Sequence, residues 1–427
     1  MSGASAVRAE MKLAAILLIA ALLLGICLRL TNPSVIARSP DEKIYAGYVA
    51  SIAQDPVDAP KQLVQHYNTT PGSWIYPIPL RVGYFYLVWA MMELRHLTPV
   101  QAGVAVSTGT SILQLLMVAV IGWRFFGRLA TVVAVTLLSV CPADLTMARR
   151  VWCDEPVAAV GLVFLWLCAE LASKRRGWPW FAALWICGGA MVLIKETAGV
   201  FYGFCIAGLM IQTWRSYRDW TRLGWIAMGA VATAFMSFAI MACLCGGVPA
   251  ALDIIRHNAQ AEPGNVYQNK CMTGPWYAIP LGLWIVSPFT GTVCAVAFAA
   301  LILRKNSLGD ILKLDQRQRD FTWGLAGLIT AVIVAISIPR NLMDLRYVSF
   351  IFGPRYLMAG LGVTYLATRL REAGGKRAAR WVTTGVTVVV LASCWVDYAT
   401  YRRVDVRQDL NDLDIYHVVT GPLGRRM

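Results

Sequence analysis

Apolar residues gather in long runs at 13–30, 101–122, 130–148, 156–173, 178–194, 198–214, 221–245, 279–303, 322–338, 348–368 and 381–398. A helix rising 1.5 Å per residue needs about 20 such residues to cross roughly 30 Å of hydrocarbon. The pattern predicts an all-α fold, a polytopic transmembrane bundle of about 11–12 helices. It places residues 1–398 in one membrane unit and leaves 399–427 as a short polar tail, with no separate soluble domain. The first run is too long for a signal-peptide core and lacks a small-residue cleavage site, so it reads as an anchor whose N-terminus stays inside.

Between the first two runs lies the largest hydrophilic loop, 31–77, with helix-like segments at 41–53 and 59–66. Basic clusters at Arg124 with Arg128, at 174–176, 215–222, 304–319 and 369–380 alternate with the runs, and the positive-inside rule puts them in the cytoplasm. The apolar segment 78–96 breaks that alternation and carries Arg81 and Glu93, so it is expected to pack obliquely on the outer side or enter only partly. The outward loops are then 31–77, 149–155, 195–197, 246–278 and 339–347.

With 57% hydrophobic and only 15% charged residues, and a mean hydropathy of +0.55, the chain departs from soluble proteins, in which about a quarter of residues are charged. The net charge of +15 sits in the short clusters between runs, so it reads as a topology signal and no nucleic acid is expected as a partner. The eleven cysteines mostly lie in apolar runs, where a thiol behaves as a small hydrophobe. Cys153 and Cys271 share the outer side, but nothing further supports a disulfide. Four scattered histidines and the lack of HExxH, GxSxG or phosphate-loop signatures give a soluble hydrolase or NTPase no support.

Four polar constellations fall on the outer face. Ser39-Pro40-Asp41-Glu42 reads as a helix start, and Asp41 and Glu42 as capping or as catalytic carboxylates. A second acidic pair, Asp154-Glu155, follows Arg150 and opens a span, and two acidic loops on one side can converge on an acceptor hydroxyl or a metal. Lys195 and Glu196 interrupt nearly continuous apolar sequence, as a snorkelling turn or with Lys195 reaching a phosphate. Arg346-Tyr347 and Arg355 supply arginines, whose forks suit phosphate and which also anchor lipid headgroups. Tyr267 lies in a polar, aromatic loop with His257, Asn258, Lys270 and Trp276 that would suit a sugar.

In this order the motifs resemble the GT-C superfamily of membrane glycosyltransferases, in particular the branch with protein mannosyltransferases, aminoarabinose transferases and lipopolysaccharide-core transferases of the Rgt type. Asp41-Glu42 with Tyr45 is similar to the acidic motif of the first outer loop, and residues 71–76 to its continuation, without the usual proline pair. Arg150 with Asp154-Glu155-Pro156, Lys195 in Leu-Ile-Lys-Glu-Thr, and Arg346-Tyr347 resemble later motifs, so the likeness extends to about residue 370. It implies a polyprenyl-phosphate sugar as donor and an envelope glycan, lipid or protein as acceptor, with Asp41 as base. Glu42 and Asp154 would be further catalytic carboxylates, and Arg150, Glu155, Lys195, Tyr267, Arg346, Tyr347 and Arg355 would bind substrate. The acidic residues permit a divalent metal ion without demanding one; if present, it would sit on Asp41 and Asp154.

Attack by an acceptor hydroxyl or amine on the anomeric carbon needs one base and cationic neighbours for the departing phosphate, and in-line displacement inverts the centre. A compact chain of this kind fits a bacterial inner membrane with its active face outward, in contact with membrane lipids. The competing readings are a transporter or flippase of a lipid-linked sugar, for which inverted repeats would be expected and none is seen, and a structural membrane subunit.

Overall fold

The computed structural model describes residues 3–31, 36–173, 176–265, 269, 273–303, 307–339 and 344–403. Tyr267, Lys270, Cys271, Arg340, Asn341 and the tail beyond 403 lie outside the described residues.

Helix α1 spans Gly3–Leu30, and α2 (Pro40–Gln54) and α3 (Ala59–Thr69) follow on the long polar loop. Then come α4 (Val82–Arg95), α5 (Pro99–Phe125), α6 (Arg128–Ser139), the short α7 (Pro142–Met147), α8 (Asp154–Ser173), α9 (Trp178–Ile194), α10 (Ala198–Tyr217), α11 (Trp220–Leu244) and α12 (Val248–Ala261). The remainder is α13 (Ala278–Val286), α14 (Pro288–Ile302), α15 (Ser307–Ile311), α16 (Gln316–Ser337), a 3-10 helix Leu345–Ile351 and α17 (Phe352–Tyr401). Among the described residues there is no strand, so this is an integral, multi-pass helical membrane protein.

Among the described residues, six helices are long and apolar enough to span a bilayer: Met11–Leu30, Pro99–Phe125, Asp154–Ala172, Trp220–Leu244, Gln316–Ser337 and Trp381–Tyr401. Two of the expected long runs are broken. The run 130–148 ends its first helix at Ser139 and restarts at Pro142, and 279–303 breaks between Val286 and Pro288. Proline has no N–H to donate and its ring clashes with the preceding turn, so each break falls just before one. Helix α4, the segment that upset the charge alternation, has 14 residues and extends only about 21 Å. It is too short to cross alone and packs on α2, α5 and α9.

Helical backbone continues from Phe352 to Tyr401, yet the two halves fold back on each other. Arg371 Nη2 donates to Thr383 Oγ1 at 2.8 Å, and Asp397 lies against Ser287 and Arg355. In one straight helix residues 355 and 397 would stand roughly 63 Å apart. The first arm packs tightly: a Cβ on Gly360 would lie 2.2 Å from the Ala130 carbonyl of α6, and one on Gly362 2.1 Å from the Val293 carbonyl of α14. Small residues let membrane helices approach this closely where no hydrophobic force draws them together.

A fully buried polar knot ties α1 to α5, α6 and α7. Arg29 Nε donates to Ser111 Oγ (2.6 Å) and Nη1 to the Ser139 carbonyl (3.2 Å), and its guanidinium pairs with Asp144. Asp144 also accepts from Ser111 (2.7 Å) and Gln114 (2.7 Å), so the buried charges are paired and their oxygens satisfied. Close by, Ser107 Oγ and Thr108 Oγ1 of α5 donate to the carbonyls of Trp152 and Ala148. These bonds hold the buried turn 148–153 that aims Asp154.

Candidate active site

The starts of α2, α4, α8 and the 3-10 helix, and the turn between α9 and α10, converge on one cavity of about 610 Å³. Helix α2 begins with a capping box: Glu42 N donates to Ser39 Oγ (3.3 Å), and Ser39 N donates back to Glu42 Oε2 (2.8 Å). Successive helical side chains diverge by about 100°. Hence Glu42 turns inward, while Asp41 faces the cavity.

Three ion pairs line the wall. Asp41 Oδ2 accepts from Arg346 Nη1 at 2.9 Å, and Arg346 Nε lies 2.9 Å from Asp344 Oδ2. Lys195 Nζ donates to Asp154 Oδ1 at 2.5 Å and stands 4.9 Å from the Tyr347 ring centre. Arg81 grips Glu196 in a fork, Nε to Oε2 at 3.1 Å and Nη2 to Oε1 at 3.0 Å, while Nη1 donates to the Tyr45 hydroxyl. The lining thus carries three carboxylates and three cations.

Burial works against the charge of Lys195, but the Asp154 carboxylate beside it prevails and lifts the ammonium above its usual range. Burial likewise opposes ionisation of Glu196, and the charge and hydrogen bonds of Arg81 overcome it, holding the carboxyl below its usual range. Burial pushes Tyr45, Tyr347 and Cys153 up, so phenols and thiol stay protonated and Cys153 is no nucleophile.

One side of the cavity is apolar, formed by Val200 and Phe201 of α10, Val332, Ala335 and Ile336 of α16, and Phe350. Over the other side the two large polar loops meet. The Trp74 ring stacks on His257 with centres 4.1 Å apart, and Asn68 Nδ2 donates to the Ala250 carbonyl at 3.0 Å. Trp74, Asn258 and Asn265 contribute to the lining there.

Of the residues singled out from sequence, Asp41, Asp154, Lys195, Arg346 and Tyr347 meet in this cavity. Four others do not line it. Glu42 caps α2 and accepts from Val151 N at 3.0 Å, with Arg150 Nη1 at 3.5 Å, so Glu42 and Arg150 rivet α2 to the turn 148–153. Glu155 is fully buried beside Asp144, away from the cavity. Arg355 donates to the carbonyls of Leu283 (2.8 Å) and Ser287 (3.4 Å), on either side of the break before Pro288. Tyr267 is outside the described residues. Sequence reasoning treats Arg81 only as a charge that argues against a crossing, and passes over Tyr45 and Glu196 as site residues; the signal was a lone arginine and a Lys-Glu pair inside apolar sequence.

Among the described residues no group of three or more His, Cys, Asp or Glu comes together to hold a metal ion, and Asp41 and Asp154 each face a cation. No step below is routed through a metal.

Residues 80–242 match a family model described as dolichyl-phosphate-mannose-protein mannosyltransferase, a stretch that contains Arg81, Asp154, Lys195 and Glu196. None of the curated proteins matches the chain in sequence. Among solved structures, apo ArnT from Cupriavidus metallidurans aligns with a TM-score of 0.53 and 14% identity over 97% of this chain and 78% of ArnT. ArnT bound to undecaprenyl phosphate gives 0.53 and 14%, over 96% and 78%. The archaeal oligosaccharyltransferase AglB from Archaeoglobus fulgidus, in complex with an inhibitory peptide and a dolichol-phosphate, gives 0.55 and 13%, over 92% of this chain and 56% of AglB. The chain shares the polytopic helical fold of ArnT and AglB, the outcome expected from the GT-C likeness of its sequence motifs.

Proposed function

We propose that the protein transfers a sugar from a polyprenyl-phosphate donor to a hydroxyl or amine of an envelope glycan, lipid or protein, with inversion, on the outer face of a bacterial inner membrane. The observation that carries this is the union, in one cavity, of three cations and a facing carboxylate with an apolar wall on α10 and α16. A lipid-linked phosphate needs both halves: cations for the phosphate and a greasy wall for the first isoprene units. The binding of undecaprenyl phosphate by ArnT and of dolichol-phosphate by AglB, proteins of the same fold, supports the donor class.

In this reading Lys195, Arg346 and Arg81 surround the donor phosphate, and Asp41 stands at the acceptor side. As the acceptor oxygen or nitrogen attacks the anomeric carbon, Asp41 takes its proton. The bond from that carbon to the phosphate oxygen breaks with its electron pair, and the polyprenyl phosphate leaves stabilised by the cations. A phosphate leaving group needs no general acid. Membranes holding the protein are tested with a panel of radiolabelled polyprenyl-phosphate sugars. Label moving to acceptor, with the anomeric configuration inverted, is the expected result; no transfer from any donor contradicts the reading.

A further inference from the structure

Each cation described in the cavity lining has a carboxylate partner, so an incoming phosphate competes with those carboxylates. The three pairs differ in how readily they yield. Arg81 and Glu196 are joined by two hydrogen bonds. Lys195 and Asp154 are nearly sealed, with side chains 3% and 5% exposed, and parting them would strand a buried charge. Asp41 and Arg346 share one hydrogen bond, and the Asp41 side chain is 29% exposed. Arg346 also has a second carboxylate: Asp344 is buried, accepts from Arg346 N at 2.9 Å through Oδ1 and faces Nε at 2.9 Å through Oδ2. The guanidinium is held from behind while its front releases Asp41.

We infer that the donor phosphate takes Arg346 from Asp41, so that the base is freed only once the donor is bound, and that Asp344 is a positioning residue keeping Arg346 in place through the exchange. The inference rests on the proposed donor class. While Asp41 Oδ2 accepts from Arg346, that oxygen is engaged; a phosphate oxygen accepting the same N–H releases it to receive the acceptor proton. Productive transfer in this reading has the donor bound before the acceptor reacts.

The exchange makes Asp41 a competitor of the donor, which gives it an unusual signature. Binding of a short-chain polyprenyl monophosphate is measured by calorimetry on the purified full-length protein. Asp41→Asn is expected to bind it about tenfold more tightly than wild type, a change of about 1.4 kcal/mol. In an Arg346→Lys background the same substitution is expected to change affinity less than about twofold, because an ammonium lacks both the Nε that faces Asp344 and the Nη1 that reaches Asp41. Asp344→Asn is expected to weaken binding about fivefold in the wild-type background and to have no further effect beside Arg346→Lys, a dependence that a merely structural cap would not show. Equal or weaker binding by Asp41→Asn, or tightening that persists with Arg346→Lys, overturns the exchange while leaving the donor class standing. Absence of binding by wild type and every variant overturns the donor class and the exchange with it.

Discussion

Lys195 Nζ and Asp154 Oδ1 lie 2.5 Å apart at the cavity wall, with both side chains at most 5% exposed, so two full charges are held almost out of solvent by one another. Removing one partner of such a pair strands the other and costs about 3–5 kcal/mol, whereas replacing both by apolar groups of similar volume is often neutral. Lys195→Met is therefore expected to lower the thermal midpoint in detergent, and Lys195→Met with Asp154→Leu to recover most of it. Neither variant is expected to transfer sugar, because the pair serves the site rather than the fold. Transfer by the double variant would contradict this.

Asp41 and Glu42 are neighbours with opposite expected phenotypes. Asp41→Asn removes the proposed base and is expected to lower kcat by about 10²–10⁴-fold with the thermal midpoint unchanged. Glu42→Gln loosens the cap of α2 and its tie to Arg150 and Val151 and is expected to cost about 1–3 kcal/mol, while the folded fraction keeps transferring. Midpoint and kcat measured on both variants separate the roles.

That contrast marks how far the sequence could be read. Run lengths were enough for the bundle, and motif order for the GT-C likeness, since both are local. Which of two adjacent carboxylates faces the cavity is settled by tertiary partners: Val151 and Arg150 claim Glu42 from more than a hundred residues away. The same holds for Arg81 and Glu196, whose fork joins positions 115 apart. Prolines 142 and 288 were visible, but the apolar sequence around each break is indistinguishable by hydropathy from a continuous span.

Arg346 and Arg355 look alike in sequence and are expected to behave differently. Arg355→Met removes the side-chain donor to the Leu283 and Ser287 carbonyls, which keep Ser287 N and Gly291 N, and is expected to cost about 1 kcal/mol in stability, with donor KM changed by less than about twofold. Arg346→Ala is expected to raise donor KM about tenfold or more with a smaller effect on the thermal midpoint. Steady-state kinetics with the same donor decide between them.

The Arg81–Glu196 fork predicts a pH signature. Because Arg81 holds the Glu196 carboxyl below its usual 4.5, this group adds stability that is fully present above pH 4.5 and lost as the pH falls below it. Lys195, held above 10.5 by Asp154, adds stability present below pH 10.5 and lost only above it. These two groups therefore contribute no slope between about pH 5 and pH 10. In Arg81→Gln the charge and hydrogen bonds of Arg81 are lost, while burial still raises the Glu196 carboxyl and a backbone hydrogen bond and Lys195 still lower it, so the stability this group adds above pH 4.5 shrinks. Thermal midpoints of the two proteins measured from about pH 3 to about pH 7 are expected to show a smaller acid-side slope in Arg81→Gln; equal slopes would contradict this.

The most direct measurement of the central claim, that this cavity is the donor site, is photolabelling with a polyprenyl phosphate that carries a diazirine on its first isoprene unit, followed by peptide mapping. The account predicts adducts on α10 and α16, at or near Phe201, Val332 and Ile336, which disappear when unlabelled polyprenyl phosphate is added. Adducts spread over the lipid-facing helices and indifferent to the competitor would contradict it.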